Sequence, residues 1–284
     1  MAVAMYLTVQ PQSRSWMLRS NSRTSETHFM TTLPRTPTFQ LNGKRALVTG
    51  ASRGIGLGGA MALAEHGAHV VMAARNAEEI GQAAEAIRDA GYSAEGISMD
   101  VGDHEQMVSS VRQYGPFDIL FNNAGTNDPT PFVDVSPENF DKIMDLNLRS
   151  AFFVAQEVAK GMIEAGKGGS IIHTSSQMGH VGGIDRTVYC GSKFAIEGVT
   201  KASAIELAAH QIRVNTICPT FIRTPMTQST FENPERVAWL EEKIKLGRVG
   251  EIEDIMGAVV FLASDASALV TGTSLLVDGG WTAD

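Results

Sequence analysis

A short apolar segment, KRALVTG, runs directly into a turn rich in glycine, and small and apolar residues at helical spacing follow it. This pattern predicts a strand over residues 45–49, a turn over residues 50–56 and a helix that ends near Gly67. HVVMAA, at residues 69–74, predicts a second buried strand. Two buried strands joined by a helix form a parallel βαβ unit, so this feature restricts the chain to an α/β fold.

The turn has the composition of a phosphate-binding loop. Glycine lets the backbone approach a bound group closely, and the start of a helix offers free N–H groups and the positive end of the helix dipole. A glycine turn between a strand and a helix predicts a site for the pyrophosphate of a dinucleotide, although glycine also collects in ordinary loops. The predicted contacts are Gly50, Ser52, Arg53, Gly54, Ile55 and Gly56.

Strand and helix patterns alternate along the rest of the chain. Further strands are predicted over residues 93–99, 117–122, 170–174, 212–217 and 274–277, and helices over residues 103–114, 137–165, 187–209, 234–246 and 252–263. The alternation predicts one doubly wound parallel sheet of about seven strands with helices on both faces. In such sheets, ligands bind at the C-terminal ends of the strands, where the strand order reverses.

Tyr189 and Lys193 lie four residues apart in a predicted helix, which places a phenol and an ammonium on one helical face. The ordinary pKa of a phenol is about 10, and a neighbouring cation lowers it by favouring the phenolate. Such a pair can exchange a proton near neutral pH. The spacing alone also describes a solvated surface pair. A hydroxyl, that of Ser176, thirteen residues before Tyr189, favours the catalytic interpretation.

The glycine turn has the form TGxxxGxG. An Asn-Asn-Ala-Gly segment, an asparagine in a predicted helix (Asn147), and the serine, tyrosine and lysine just described follow it. In this order and spacing the motifs resemble the short-chain dehydrogenase/reductase family, from residue 41 to the C-terminus. The resemblance implies a Rossmann-type catalytic domain over residues 41–284. It also implies an oxidoreductase that interconverts a secondary alcohol and a ketone by hydride transfer. The motif residues outside the turn are Asn122, Asn123, Ala124, Gly125, Asn147, Ser176, Tyr189 and Lys193.

The resemblance also implies the catalytic roles. Tyr189 is expected to be the acid in reduction and the base in oxidation, while Lys193 lowers its pKa and binds the nicotinamide ribose. Ser176 is expected to orient and polarise the substrate oxygen. Asn147 is expected to hold a water molecule in the proton relay. Ser175, one residue away along an extended segment, is expected to face the other way.

Other cofactor contacts follow from the same resemblance. Asp100 is expected to accept a hydrogen bond from the adenine amino group, with a helix cap at the strand end as the alternative. Ile222 and Thr224 match positions that contact the carboxamide and the phosphates. The family's Pro-Gly appears here as Pro-Thr, which leaves the backbone shape beside the nicotinamide open. The remaining implied contacts are Val101, Asn123, Ala124, Gly125, Tyr189, Lys193 and Pro219.

The end of the second strand indicates which cofactor binds. An NAD site usually has an acidic residue there, about twenty residues beyond the glycines, to hold the ribose hydroxyls. The matching position is Ala74, followed by Arg75, and Arg53 lies within the turn. Two guanidinium groups suit the 2′-phosphate of NADP(H), which a carboxylate would repel. The sequence therefore predicts NADP(H), with NAD(H) as the alternative.

The sequence constrains the identity of the substrate less than that of the cofactor. Gln177, His180 and Arg186 follow Ser176 and make that wall polar. They favour a polar or anionic carbonyl compound, such as a sugar acid, a polyol or a 3-oxoacyl thioester, and Arg186 is the candidate partner of a substrate carboxylate. The alternative is that they are ordinary loop residues.

Composition excludes several classes of protein. Apolar residues make up 43% and charged residues 19% of the 284 residues, as in a globular domain. A net charge of −8 argues against nucleic-acid or anionic-membrane partners, and no apolar run reaches about eighteen residues. Cys190 and Cys218 have no zinc-site spacing. We expect reduced thiols, no metal and a cytoplasmic enzyme.

Residues 1–40 differ from the rest, with four arginines, one acidic residue and twelve serines or threonines. We expect a disordered or dispensable extension; an organelle transit peptide and a true start at Met30 are alternatives. The family commonly forms homodimers or homotetramers through two long helices and the C-terminal strand. Two rival functions stay open: a non-catalytic NADP(H)-sensing protein and a nucleotide-sugar epimerase or dehydratase, although the latter typically carries TGxxGxxG.

Overall fold

Residues 33–283, which the computed structural model describes, contain one parallel sheet of seven strands. The strands are β1 (Arg45–Thr49), β2 (His69–Ala74), β3 (Ala94–Ser98), β4 (Ile119–Asn122), β5 (Gly169–Thr174), β6 (Ile212–Pro219) and β7 (Ser274–Val277). Their order across the sheet is β3-β2-β1-β4-β5-β6-β7. The order reverses between β1 and β4, which is where such a sheet binds its ligand. The predicted doubly wound architecture is confirmed.

The helices cover both faces of the sheet. In the described residues they are α1 (Gly54–Glu65), α2 (Ala77–Asp89), α3 (His104–Tyr114), α4 (Pro137–Met144), α5 (Ser150–Ala165), α6 (Thr187–Leu207), α7 (Gln228–Phe231), α8 (Pro234–Lys243) and α9 (Glu253–Ala263). One hydrophobic core lies under α1, α2 and α9, and the other lies under α3, α5 and α6.

Alternation along β1 shows how the sheet divides these two cores. Ala46 and Val48 belong to the core on the α1 face, whereas Leu47, between them, belongs to the core on the α5 face. Successive side chains of a strand point to opposite faces, so a strand covered by helices on both sides must be apolar throughout. This is why the central strands read as unbroken apolar runs.

The predicted helix over residues 137–165 is interrupted in the structure. α4 ends at Met144, a π-helical turn occupies Asp145–Arg149, and α5 begins at Ser150. A π turn inserts an extra residue and changes the direction of the side chains after it. Asn147 lies in this turn, so its orientation depends on a feature that the period of the sequence does not reveal.

Other boundaries differ by a few residues. β4 begins at Ile119 instead of residue 117, β6 continues to Pro219, and α8 ends at Lys243 rather than residue 246. Helices α2 and α7 were not predicted. α2 carries the usual pattern of an amphipathic helix, with its buried side chains at helical spacing after a capping asparagine; these residues are Ile80, Ala83, Ala84, Ile87 and Asn76.

From Pro37 onward the described chain forms one compact unit, four residues before the predicted domain boundary at residue 41. Most of the predicted N-terminal extension, residues 1–32, lies outside the described residues. Among the helices of residues 33–283, none has the length and hydrophobicity required to cross a bilayer.

Candidate active site

A cleft of about 690 Å³ opens at the C-terminal ends of the strands, over the point where the strand order reverses. It brings together segments that are far apart in the sequence: the glycine turn, the ends of β2 to β6 and the start of α6. The predicted residues that line it are Gly50, Ser52, Arg53, Gly54, Ile55, Arg75, Asp100, Val101, Asn123, Ala124, Gly125, Ser176, Tyr189, Lys193, Pro219, Ile222 and Thr224. Gly56, Asn147, Gln177, His180 and Arg186 lie outside this lining.

The glycine turn is shaped for a close approach. Gly50 has a φ angle of 63°, in the left-handed region that favours glycine. A Cβ atom on Gly56 would lie 2.2 Å from the Gly50 carbonyl oxygen and 2.6 Å from Asn123 Nδ2. The turn therefore leaves no room for a side chain at position 56. No side chain among residues 33–283 caps the start of α1. Its first N–H groups therefore face the cleft without a competing partner, as a pyrophosphate site requires.

Buried polar side chains hold the strand ends together beneath the cleft. Thr49 Oγ1 donates to Asn122 Oδ1 (3.2 Å) and accepts from the Asn123 and Ala124 amides at 2.9 and 3.0 Å. Asn122 Nδ2 donates to the Ala151 carbonyl oxygen at 2.7 Å and lies 3.3 Å from His173 Nδ1. These contacts fix β1, β4 and α5 relative to one another, which is a structural role for Asn122.

Ser176, Tyr189 and Lys193 meet at the floor of the cleft. Tyr189 and Lys193 lie on α6, and Ser176 is the second residue after the end of β5. Burial raises the pKa of the Tyr189 hydroxyl above its ordinary value, while the Ser176 hydroxyl and the Arg186 charge act against that rise. The phenol is therefore protonated at neutral pH and can serve as a proton donor.

Lys193 lies beside the phenol. Its Nζ atom lies 5.5 Å from the centre of the Tyr189 ring and donates to the Thr174 carbonyl oxygen at 2.8 Å. The predicted lowering of the Tyr189 pKa by Lys193 stays a prediction, whereas burial, the largest cause of the shift, raises that pKa. Burial also lowers the pKa of Lys193 to about 8, with the charges of Cys218 and Glu197 acting against this shift.

Asn147 is buried, and its amide is committed to backbone contacts. Its Oδ1 accepts from the Thr126 amide and its Nδ2 donates to the Thr126 carbonyl oxygen, both at 2.8 Å. Nδ2 also lies 3.2 Å from Ser192 Oγ on α6. These bonds tie the π turn to the loop after β4 and to the helix that carries Tyr189. Its predicted role in holding a water molecule stays a prediction.

The two hydroxyls after β5 face different neighbours. Ser176 Oγ accepts from the Met178 amide at 3.1 Å and lies beside the Tyr189 phenol. The Ser175 hydroxyl lies on the other side, because a Cβ atom on Gly179 would sit 2.8 Å from Ser175 Oγ and 3.3 Å from Glu197 Cγ. Only Ser176 is therefore placed to share a substrate atom with Tyr189.

The outer end of the cleft contains the two predicted arginines. Arg53 and Arg75 both line it, beside Ala74 at the end of β2. Asn76 and Glu79, at the start of α2, also line it and were not predicted. Asn76 Nδ2 donates to Glu79 Oε1 at 3.1 Å, so this carboxylate already has a partner. The capping pattern of α2 was the available sequence signal for both residues.

Asp100 lines the cleft at the end of β3. One of its carboxylate oxygens accepts from the Gly102 amide at 2.9 Å. The alternative role as a helix cap is wrong, because Asp103 caps α3 through the Gln106 amide.

The segment after β6 completes the wall, where the chain departs from the family's Pro-Gly. Thr220 lines the cleft, and its hydroxyl is buried without a hydrogen-bond partner among the described residues. A buried hydroxyl without a partner is costly, so it fits a site that a polar ligand group completes. Thr224 lies against the glycine turn, 3.4 Å from the position of a Cβ atom on Gly54. Thr126, Met226 and Thr227 also line the cleft.

The three predicted substrate residues lie behind the cleft or at its edge. Gln177 is 1% exposed, and neither polar atom of its amide has a hydrogen-bond partner in residues 33–283. His180 turns toward Cys218 and Glu197 on neighbouring elements. Arg186 immediately precedes α6; burial and the charge of Arg236 lower its pKa. Contact of these three residues with a substrate stays a prediction.

Comparison with known proteins identifies the family. A family model described as enoyl-(acyl carrier protein) reductase matches residues 50–282. D-erythrulose reductase from Gallus gallus is 38% identical over 245 residues, covering 86% of this chain and 98% of its own.

Comparison with solved structures indicates the same family. A short-chain type dehydrogenase/reductase from Mycobacterium marinum is 40% identical, with a TM-score of 0.81, and the match covers 87% of this chain and 98% of the other. A gluconate 5-dehydrogenase from Burkholderia cenocepacia J2315, in complex with NADP and tartrate, is 36% identical with a TM-score of 0.84 at the same coverage. The chain therefore belongs to the short-chain dehydrogenase/reductase family of oxidoreductases.

Proposed function

We propose that this protein uses NADP(H) to interconvert a secondary alcohol and a ketone in a polyol or sugar-acid substrate. One observation carries the proposal: the Ser176 and Tyr189 hydroxyls share a cleft with a helix start that no described side chain caps, with Arg53 in the glycine turn and with Arg75 after β2. Two hydroxyls that converge on one point suit a carbonyl oxygen, which accepts two hydrogen bonds.

In the reductive direction, the Tyr189 phenol donates its proton to the substrate oxygen as negative charge develops there. Ser176 donates a second hydrogen bond to the same oxygen and stabilises that charge. Lys193, held by Thr174, then favours the phenolate that remains. Bound NADPH supplies the hydride, while the protein supplies placement and proton transfer.

The preference for NADP(H) rests on the charges at the outer end of the cleft. Arg53 and Arg75 line it, and the position that would hold the ribose hydroxyls of NAD is Ala74. Glu79 is the opposing charge, but its carboxylate accepts from Asn76. The solved gluconate 5-dehydrogenase, 36% identical to this chain, holds NADP.

The polar substrate class rests on two cations outside the lining of the cleft, Arg186 and Arg236, and on the relatives. Arg186 and Arg236 lie close enough for each charge to act on the other, and Arg186 is half-buried. An anionic group between two such cations is favourable. D-erythrulose reductase and gluconate 5-dehydrogenase are named for polyhydroxylated substrates. A 3-oxoacyl thioester is the less supported alternative, because it would leave these polar groups without partners.

We propose that the active form is a cytoplasmic homodimer or homotetramer. Large apolar side chains stay exposed on α5, α6 and β7, the elements through which the family commonly associates. They are Phe152, Ile163, Phe194, Ile205 and Leu276. Exposed apolar patches of this kind mark contact surfaces.

A substrate panel with both nicotinamide cofactors tests the proposal. We expect NADPH consumption with ketoses or keto-sugar acids, and a lower rate with NADH. Equal rates with NADH would favour the NAD-dependent alternative. Tight NADPH binding without turnover on any carbonyl compound would favour the non-catalytic alternative.

A further inference from the structure

One helical turn beyond Lys193, three side chains from separate elements meet beside the active site. Glu197 extends from α6, Cys218 from β6, and His180 from the segment after Ser176. Cys218 Sγ lies 3.3 Å from Glu197 Oε1 and 3.5 Å from His180 Nε2. The third distance, from His180 Nε2 to Glu197 Oε1, is 3.7 Å.

Two of these distances match those between neighbouring ligands of a tetrahedral zinc ion, and the third is about 0.1 Å longer. Zinc bonds of about 2.0 Å to nitrogen or oxygen and 2.3 Å to sulfur place adjacent ligand atoms roughly 3.3 to 3.6 Å apart. Sulfur, imidazole nitrogen and carboxylate oxygen are the three donors that zinc accepts in proteins. The same geometry also allows the Cys218 thiol simply to donate a hydrogen bond to Glu197, so an experiment must separate the two.

The surroundings of the cluster favour a metal site. The second oxygen of Glu197, Oε2, accepts hydrogen bonds from Thr216 Oγ1, at 3.2 Å, and from Ser274 Oγ. Outer hydrogen bonds of this kind orient a ligating carboxylate, and they leave Oε1 facing Cys218 and His180. Cys218 and Glu197 are buried, whereas the His180 side chain is 30% exposed and leaves a route from solvent.

The charges also balance. A neutral imidazole, a carboxylate and a thiolate carry a combined charge of minus two, which a divalent cation neutralises in a buried place. Binding displaces the thiol proton of Cys218 to solvent, and no redox change is involved. Three protein ligands leave a fourth position for water.

We propose that His180, Glu197 and Cys218 form a binding site for a divalent cation of the zinc type. The sequence predicts no metal site, because the ligands come from three distant segments and form no spacing motif. This site is separate from the proposed cofactor cleft, and nothing in the proposed hydride-transfer function requires it.

Cobalt(II) tests the site directly, because a thiolate bound to cobalt gives a charge-transfer band in the near ultraviolet. The full chain, freed of metal with a chelator and carrying no affinity tag, is titrated with Co²⁺ alone. We expect one ion per chain with this band, displaced by Zn²⁺. Cys218→Ser and His180→Ala should each lose the band, and Cys190→Ser, the matched control, should keep it.

Absence of the band in the wild-type protein, or its persistence in Cys218→Ser, would overturn the proposal. A thermal melt of each variant shows whether loss of the band reflects unfolding. Ser274→Ala gives a milder test, since removing an outer hydrogen bond should weaken Co²⁺ binding by on the order of 10-fold; unchanged affinity would count against the site. The readout uses no nicotinamide cofactor, so it can fail or succeed independently of the proposed function.

Discussion

The two halves of the cleft are built in different ways. In the cofactor half, backbone atoms and buried contacts fix which residue can stand at each position. A Cβ atom on Gly56 would collide with the Gly50 carbonyl oxygen at 2.2 Å, whereas one on Gly182, in the segment after Ser176, would meet nothing within 4 Å. Position 182 therefore has room for a larger side chain, whereas position 56 has none. This difference explains why the sequence predicts the type of reaction more readily than the substrate.

The catalytic phenol lies where the two halves meet, and removing its hydroxyl is the largest perturbation we predict. Tyr189→Phe should lower kcat for a ketone substrate by about 10³-fold, because general acid catalysis is lost. The Kd for NADPH, measured by calorimetry, should change little. A variant with near wild-type kcat would remove Tyr189 from the mechanism.

The pH dependence of stability tests the part of the sheet that lies beneath both halves of the cleft, where His173 is buried on β5. Burial, and secondarily the charge of Lys193, lower the pKa of His173 from 6.5 to about 4. The unfolded chain takes up a proton below pH 6.5 while the folded protein does not, so stability falls as the pH falls from 6.5 to 4.

At about 1.4 kcal/mol per pKa unit, this histidine should cost on the order of 3 kcal/mol of unfolding free energy across that window. Urea unfolding at several pH values measures it. His173→Gln should flatten the profile by that amount, and an unaltered slope would contradict the account.

Two glycine substitutions sharpen the contrast between the halves. Gly56→Ala should destabilise the protein by about 2 kcal/mol and weaken NADPH binding, because the new methyl group has no space. Gly182→Ala, the matched control in the substrate half, should leave both the melting temperature and the Kd close to wild type. Similar effects from the two substitutions would contradict the proposed difference between the two halves of the cleft.

Arg75→Ala probes specificity within the cofactor half. Loss of one charge-assisted contact should weaken NADPH binding by about 10-fold while hardly changing NADH binding. Calorimetry with both cofactors measures the ratio, and Lys142→Ala, at an exposed ion pair with Asp128, serves as a charge-matched control. Parallel losses for both cofactors would mean that Arg75 does not contact the 2′-phosphate.

The smallest predicted effect lies in the substrate half. Arg186→Ala should raise KM several-fold for a keto-sugar acid, because an ion contact to the carboxylate is lost. KM for a neutral ketose should stay within about twofold, since that substrate offers no carboxylate. If KM for the acid is unchanged, Arg186 is an ordinary residue at the start of α6.

Sequence reasoning succeeded where local pattern determines structure. The βαβ start and the alternation of strands and helices follow from spacing in a parallel sheet, while the convergence of Ser176, Tyr189 and Lys193 is what the family resemblance implies. Sequence reasoning failed where the structure depends on contacts between residues that are far apart in the sequence. The π turn that aims Asn147 depends on bonds to Thr126 and Ser192, which no periodicity reveals.

The unpredicted parts of the site have the same cause. Glu79 reaches the cleft because α2 begins beside the end of β2. His180 turns away from the cleft toward Glu197 and Cys218, which are distant from it in the sequence. Burial in the finished fold also raises the pKa of Tyr189, and the spacing of residues in the sequence does not reveal that burial.

The central claim is that this cleft transfers a hydride from NADPH to a carbonyl carbon while Tyr189 supplies the proton. The most direct test is the mass of the alcohol formed when the enzyme reduces a ketose with NADPH deuterated at the transferring position. We predict a product that carries the deuterium on its carbinol carbon, formed about 10³-fold more slowly by Tyr189→Phe than by the wild-type protein. A product without deuterium, or equal rates of product formation by both proteins, would contradict the claim.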